Sequence, residues 1–206
     1  MYKIKICGVT TCDILPTINE LKPDYIGFIM TAGFRRSVSD GFVRQFGEAL
    51  GRRIERVGVF VNDDISRIAA LVRQGIIDVV QLHGDEDGSY IRKLKSRADV
   101  PVIKAVGVED GMVPAYPAEC DIVLLDARAA AGGGGTGRSI CWRRYSEVDK
   151  PVILAGGITA GNVRAALAAV RPWGVDTSGG VETGGVKDAA KIYEYITNIR
   201  EYDKNG

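Results

Sequence analysis

The chain has 206 residues, 46% hydrophobic and 26% charged, which is enough for one well-buried domain. Its 27 basic and 26 acidic residues leave a net charge of +1. That balance excludes a nucleic-acid or membrane surface built on bulk charge, so any bound anion must be held by local geometry. No apolar run is long enough to span a bilayer, and the amino terminus enters a strand pattern without a basic-then-apolar leader. The expected setting is the cytoplasm, with reduced thiols.

The first strand pattern is YKIKIC (2–7), in which Lys3, Lys5 and Cys7 share one face and Tyr2, Ile4 and Ile6 the other. YIGFIM (25–30) follows, then GFRRSVS with Arg35 and Arg36. Phe42, Phe46 and Leu50 mark a helix, with Ser39 or Asp40 as its N-cap. RVGVFV (56–61) leads into Ile65, Ile68, Ala69 and Val72 at helical spacing. VVQLH (79–83) places Gln81 and His83 on one face. After PVIKAV (101–106), the segment GVEDGMVPAYPAEC (107–120) is short and carries Pro114 and Pro117, which predicts an irregular link where a helix would stand. DIVLLD (121–126) ends in Asp126, and the glycine run AAAGGGGTGR (129–138) reads equally as a flexible linker or as a mobile loop over a site. PVILAG (151–156), the helical set Val163, Ala166, Leu167 and Val170, and WGVDTS (173–178) come next. Ile192, Tyr195, Ile196 and Ile199 mark the last helix.

Eight strand patterns alternating with helices or loops, with no composition shift, predict one (β/α)8 TIM barrel domain over 1–206. An open doubly wound sheet is the rival, weakened by the lack of G-x-G-x-x-G after the first strand. Barrel enzymes work at the carboxyl ends of their strands. Cys7, Gln81, His83, Asp126, Asp176 and Ser178 lie there, on the inner face if Ile4, Ile6, Leu82 and Val175 pack outward on helices. Lys5 falls one layer below the mouth, where a lone ammonium is costly. Because the eighth strand of a closed barrel neighbours the first, Lys5 is expected to pair with Asp176.

Two glycine-bearing turns, LAGGIT (154–159) and DTSGGVE (176–182), follow the last two strands. Gly156, Gly157, Gly179 and Gly180 serve tight turns in any case, but barrels often hold a phosphate at this pair of loops. Cys7 alone reads more readily as a buried inert thiol than as a nucleophile or base. A carboxylate ending DIVLL is expensive unless solvated, paired or used, which singles out Asp126. Arg35 or Arg36 fits a carboxylate clamp or plain surface charge. His83 is the only histidine, and Cys7, Cys12, Cys120 and Cys141 show no C-x-x-C spacing, so no metal site is expected.

In order along the chain, KICGVT (5–10), VGVFVN (57–62), VQLHGDE (80–86), GGTG (134–137), LAGGIT (154–159) and GVDTSGGVE (174–182) resemble phosphoribosylanthranilate isomerase of tryptophan biosynthesis. The resemblance spans nearly the whole chain, and the pairing of KICG with QLHG is highly specific. It implies a ribulose-phosphate-binding barrel and an aldose–ketose isomerase that performs an Amadori rearrangement by general acid/base catalysis, with no cofactor. It further implies Cys7 as general base, Asp126 as general acid and Arg36 on the anthranilate carboxylate. Backbone around Gly156, Gly157, Ser178, Gly179 and Gly180 would hold the phosphate, and Lys5, Gln81, His83 and Asp176 would complete the site. The divided protonation this chemistry needs, an acid Asp126 beside a thiolate Cys7, leads us to expect that nearby positive charge lowers the thiol, with Lys5 contributing if Asp176 does not neutralise it.

Three departures from the family pattern stand out: Gly179 after Ser178 where a second serine is usual, Cys141 before Trp142 in place of an aspartate, and TAGFRRS without the common proline. They predict weaker phosphate binding at most, a cap moved to Ser139, and a choice left open between Arg35 and Arg36. A metal-dependent pentose-phosphate epimerase needs more histidines than one. A histidine-pathway isomerase typically uses aspartate where Cys7 stands. A barrel that binds a phosphorylated ligand without turnover is the remaining alternative. The expected partner is a small phosphorylated substrate, with no nucleic acid and no membrane. Monomer and homodimer are equally compatible with the sequence.

Overall fold

Successive side chains of a strand point to opposite faces, and eight short apolar-rich runs close on themselves. The structure is a computed structural model that describes residues 1–108, 113–126 and 148–205. Parallel strands β1 (Lys3–Cys7), β2 (Tyr25–Ile29), β3 (Glu55–Phe60), β4 (Val79–Leu82), β5 (Val102–Gly107), β6 (Ile122–Asp126), β7 (Val152–Ala155) and β8 (Gly174–Thr177) form a closed barrel in chain order. β8 returns to β1 with Lys5 opposite Asp176, the register on which the expected ion pair depends.

Two apolar layers follow from the two faces. Val57, Val59, Ile103, Leu124 and Ile153 fill the barrel together with Cys7 and Tyr25. Ile4, Ile6, Leu82 and Val175 face outward and pack in the larger layer under the helices, as the alternation predicts. Gln81 pairs in register with Val59 on one side and Ile103 on the other, which keeps its side chain in the inner layer.

The predicted helices form as α2 (Asp40–Ala49), α3 (Ile65–Arg73), α5 (Val163–Val170) and α6 (Ala189–Asn205). Ser39 is the cap of α2: its hydroxyl accepts from the Phe42 N–H at 3.2 Å. Two further helices, α1 (Leu15–Leu21) and α4 (Gly88–Lys95), bury Ile18 and Leu21, and Ile91 and Leu94, respectively. Between β5 and β6, residues 113–121 contain no helix, in keeping with Pro114 and Pro117. The glycine run 129–138, Ser139 and Cys141 lie outside the described residues.

One element was not anticipated. After β8, a short 3-10 turn (Gly179–Val181) runs into an antiparallel hairpin of β9 (Glu182–Thr183) and β10 (Val186–Lys187). Its two-residue loop is Gly184-Gly185, both at positive φ (60° and 85°), the conformation that a tight hairpin of this kind requires.

Candidate active site

A cavity of about 210 Å³ opens at the carboxyl ends of the strands. Cys7, Arg36, Gln81, His83, Asp126, Gly156, Gly157, Asp176, Ser178, Gly179 and Gly180 line it, so the fold brings together residues spread over most of the chain. Arg35 and Lys5 are the sequence candidates absent from its wall. Lys5 lies fully buried beneath, covered by the barrel itself, with its Nζ 3.2 Å from Asp176 Oδ1. Pairing is what makes a lysine tolerable in the middle of a barrel.

Electrostatics follow from this burial. Burial pushes the Lys5 ammonium down, but Asp176 and the neighbouring thiol more than reverse it and hold the lysine charged. Burial drives the Asp176 carboxyl up, with Lys5 opposing. For Cys7 the expected downward shift does not occur. Burial raises the thiol above its ordinary range, and the pull of Lys5 is insufficient because Asp176 works against it. A neutralised lysine is a weak source of field.

Across the mouth, His83 Nε2 lies 3.7 Å from Asp126 Oδ2, and Gln81 Nε2 lies 3.0 Å from His83 Nδ1. Behind them a buried pair fixes the loop after β4. Glu86 accepts from Lys104 at 2.9 Å, from the Asn62 N–H at 2.7 Å and from the Gly84 N–H at 2.9 Å. That network holds the segment carrying His83 at a set height above the barrel.

The two glycine turns after β7 and β8 pack directly on one another. Gly156 and Gly157 both take positive φ (85° and 70°), the geometry that lets successive N–H groups face one anion. Asn162 braces this turn, accepting from the Thr159 N–H at 2.8 Å and donating to the Gly157 carbonyl at 2.9 Å. Thr177 Oγ1 donates to the Ile158 carbonyl at 2.7 Å, tying the turn after β8 to the turn after β7. A Cβ on Gly180 would sit 2.1 Å from that same carbonyl oxygen, so the turns can approach only if this residue lacks a side chain.

The structure separates the two arginines that the sequence left open. Arg36 is largely buried and lines the cavity. Arg35 is mostly exposed and reaches away to the Gly185 carbonyl at 3.2 Å. Both meet Glu182, and so does Lys187, although neither Glu182 nor Lys187 was singled out from sequence. The Gly-Gly loop between two short β-type runs is the signal that would have found them.

The N-(5'-phosphoribosyl)anthranilate (PRA) isomerase family profile matches residues 4–198. The chain belongs to this family. A relative named N-(5'-phosphoribosyl)anthranilate isomerase from Endomicrobium trichonymphae is 42% identical, covering 97% of this chain and 99% of its own. One of the same name from Desulforudis audaxviator is 40% identical, covering 98% and 99%. Among solved structures, phosphoribosyl anthranilate isomerase from Thermotoga maritima is 32% identical with a TM-score of 0.84, covering 98% of this chain and all of its own. Another family structure was solved in complex with reduced 1-(o-carboxyphenylamino)-1-deoxyribulose 5-phosphate; it is 30% identical, with a TM-score of 0.81 and coverage of 98% and 100%.

Proposed function

We propose that Asp126 and Cys7 divide the proton transfers of an Amadori rearrangement between them, one on each side of the cavity. The chain is an isomerase of tryptophan biosynthesis that acts on N-(5'-phosphoribosyl)anthranilate. Asp126 protonates the ribose ring oxygen, the C1′–O bond breaks, and an iminium ion forms. Cys7 removes the C2′ proton to give an enolamine, which tautomerises to 1-(2-carboxyphenylamino)-1-deoxyribulose 5-phosphate. Arg36 takes the anthranilate carboxylate. The turns at Gly156–Gly157 and Ser178–Gly180 take the phosphate, and His83, oriented by Gln81, steadies Asp126. Both steps are proton transfers within one substrate, so the scheme calls for neither metal nor nucleotide.

The observation that carries this reading is that one cavity presents Cys7, Asp126, Arg36 and both glycine turns together. Burial favours the Cys7 thiol over the thiolate, so the working base is a minority form, with Lys5 and Lys187 pulling against burial. Backbone donors at Gly179 replace what a second serine hydroxyl would offer. We read the chain as one barrel domain acting in the cytoplasm on a small phosphorylated substrate. Whether it pairs with a second copy, as the dimeric Thermotoga maritima relative does, is open to measurement.

Turnover of N-(5'-phosphoribosyl)anthranilate by wild type, Cys7→Ser and Asp126→Asn tests the assignment, with folding checked by circular dichroism. Each variant is expected to lose at least ~100-fold in kcat, the lower end for a general acid or base, and to keep affinity for the reduced product analogue. Activity within ~10-fold of wild type in either variant would remove that residue from its role.

A further inference from the structure

Glu182 is almost fully buried, and its carboxylate meets four donors. Oε1 accepts from Arg36 Nε at 2.7 Å and from Lys187 Nζ at 2.6 Å. Oε2 accepts from Arg36 Nη2 at 2.7 Å and from Arg35 Nη2 at 3.2 Å. A carboxylate offers about four lone-pair positions, so this one is filled. Burial alone would raise the Glu182 carboxyl, but hydrogen bonds and charge from Arg36 and Lys187 overcome it and bring it to about 2.

Among the described residues, Arg36 is held by one edge only. A guanidinium has five N–H donors in a rigid fork, and Glu182 uses the Nε/Nη2 edge. The Nη1/Nη2 edge is the second face that matches a carboxylate through two parallel bonds. The stem is fixed as well: Arg36 Cδ lies 2.7 Å from where a Cβ on Gly8 would be, pressed against the residue that follows Cys7. On the other side of the hairpin, Lys187 is buried and donates to the Ser178 carbonyl at 3.0 Å, with Ser178 Oγ at 3.4 Å. Ser178 opens the turn assigned to the phosphate.

We propose that Glu182 is a positioning residue for both ends of the substrate. It grips Arg36 by the inner edge so that the outer edge meets the anthranilate carboxylate, and through Lys187 it ties that clamp to the phosphate turn at Ser178. The hairpin β9–β10 is then a strut that sets the separation of the two anion sites. Three cations around one carboxylate also leave an excess of positive charge where a substrate with two anionic groups enters. The inference rests on the reading of Arg36 as the carboxylate clamp, and the test keeps the two apart.

The probes are the reduced product analogue, reduced 1-(o-carboxyphenylamino)-1-deoxyribulose 5-phosphate, and the same compound without its ring carboxylate, titrated by calorimetry. Wild type should prefer the carboxylated form by about 10- to 100-fold, the scale of a charged bidentate contact. Arg36→Met should abolish the preference. Glu182→Gln, which keeps the shape, should cut the preference by ~10-fold or more while the decarboxylated compound loses under ~3-fold. The double variant Glu182→Ala/Lys187→Met, which removes the buried lysine together with its carboxylate, should do the same and weaken the decarboxylated compound too, because the tie to Ser178 is gone. An intact preference in the folded double variant, or equal weakening of both probes in Glu182→Gln, overturns the positioning role and leaves Arg36 in place. No preference in wild type, or one that survives in Arg36→Met, overturns the clamp itself and the positioning role with it.

Discussion

Replacing Lys5 with methionine leaves Asp176 inside the barrel without its cation, and replacing Asp176 with asparagine leaves Lys5 without its anion. The two groups stand 3.2 Å apart, with side-chain exposures of 0% and 9%. Breaking one half of such a pair costs about 3–5 kcal/mol, because a buried charge is left uncompensated. At roughly 3 °C per kcal/mol for a domain of this size, either single variant should melt about 9–15 °C below its parent. The double variant Lys5→Met/Asp176→Leu, with apolar groups of similar volume, should recover most of that loss.

The pH dependence makes the argument sharper. In Lys5→Met, burial raises the Asp176 carboxyl with only the weaker pull of Lys187 against it, so the folded state holds a proton that the unfolded chain, near ~3.9, has released. Stability then falls as pH rises, and the deficit is larger at pH 8 than at pH 5. In Asp176→Asn, burial pushes the Lys5 ammonium down unopposed, and the unfolded chain, near ~10.4, binds the extra proton. Stability then rises with pH, and the deficit is larger at pH 6 than at pH 9. Thermal unfolding followed by circular dichroism between pH 5 and pH 9 reads both slopes, in a Cys7→Ser background that removes the thiol from the titration. Slopes of the same sign in the two variants, or a loss below ~1 kcal/mol in both, would show that the pair does not hold its charges as described.

The thiol itself gives a second measurement. With Cys12, Cys120 and Cys141 replaced by serine, the rate of alkylation by iodoacetamide should report Cys7 titrating above the ordinary ~8.5. Lys5→Met should move it further up and Asp176→Asn should bring it down, since Lys5 lowers the thiol and Asp176 raises it. Titration below pH 8, or shifts of one sign, would refute the assigned field. Gly180→Ala puts a Cβ 2.1 Å from the Ile158 carbonyl oxygen and 2.6 Å from Thr177 Oγ1, forcing the two turns apart. A cost of about 1–3 kcal/mol, the scale of overpacking, is expected, with weaker inhibition by inorganic phosphate; unchanged melting and unchanged inhibition would show that the turns do not need this contact.

The parts of this molecule that were legible in the sequence are those governed by period and closure. Alternation in KIKIC and GVDTS assigned Lys5 and Asp176 to one face, and closure of strand eight onto strand one made them neighbours. The strand ends that carry Cys7, Asp126 and the glycine turns followed from the same rule. Signs that depend on a balance were not legible. Whether Cys7 is raised or lowered is decided by burial against a lysine that Asp176 has already neutralised, and no spacing encodes that. Nor does spacing choose between Arg35 and Arg36, because the choice lies in which stem folds over Gly8. The helices α1 and α4 carry weaker signals, Pro16 sitting in the first turn of one and basic residues crowding the last turn of the other.

The hairpin is a different case, since Gly184-Gly185 between short β-type runs was readable and its consequence was not. A lone Glu182 or Lys187 in that stretch looks like surface charge. Only when the chain folds back does the glutamate lie beneath Arg36 with the lysine beside Ser178. The barrel thereby separates two uses of buried charge. Inside, Lys5 and Asp176 are matched one to one and contribute little field to the thiol. At the mouth, one carboxylate faces three cations, and the excess is left for a substrate that brings its own anions. A matched pair at the mouth would leave the substrate carboxylate to displace Glu182 from Arg36 and pay its desolvation again; a carboxylate that grips only one edge of the guanidinium avoids that exchange.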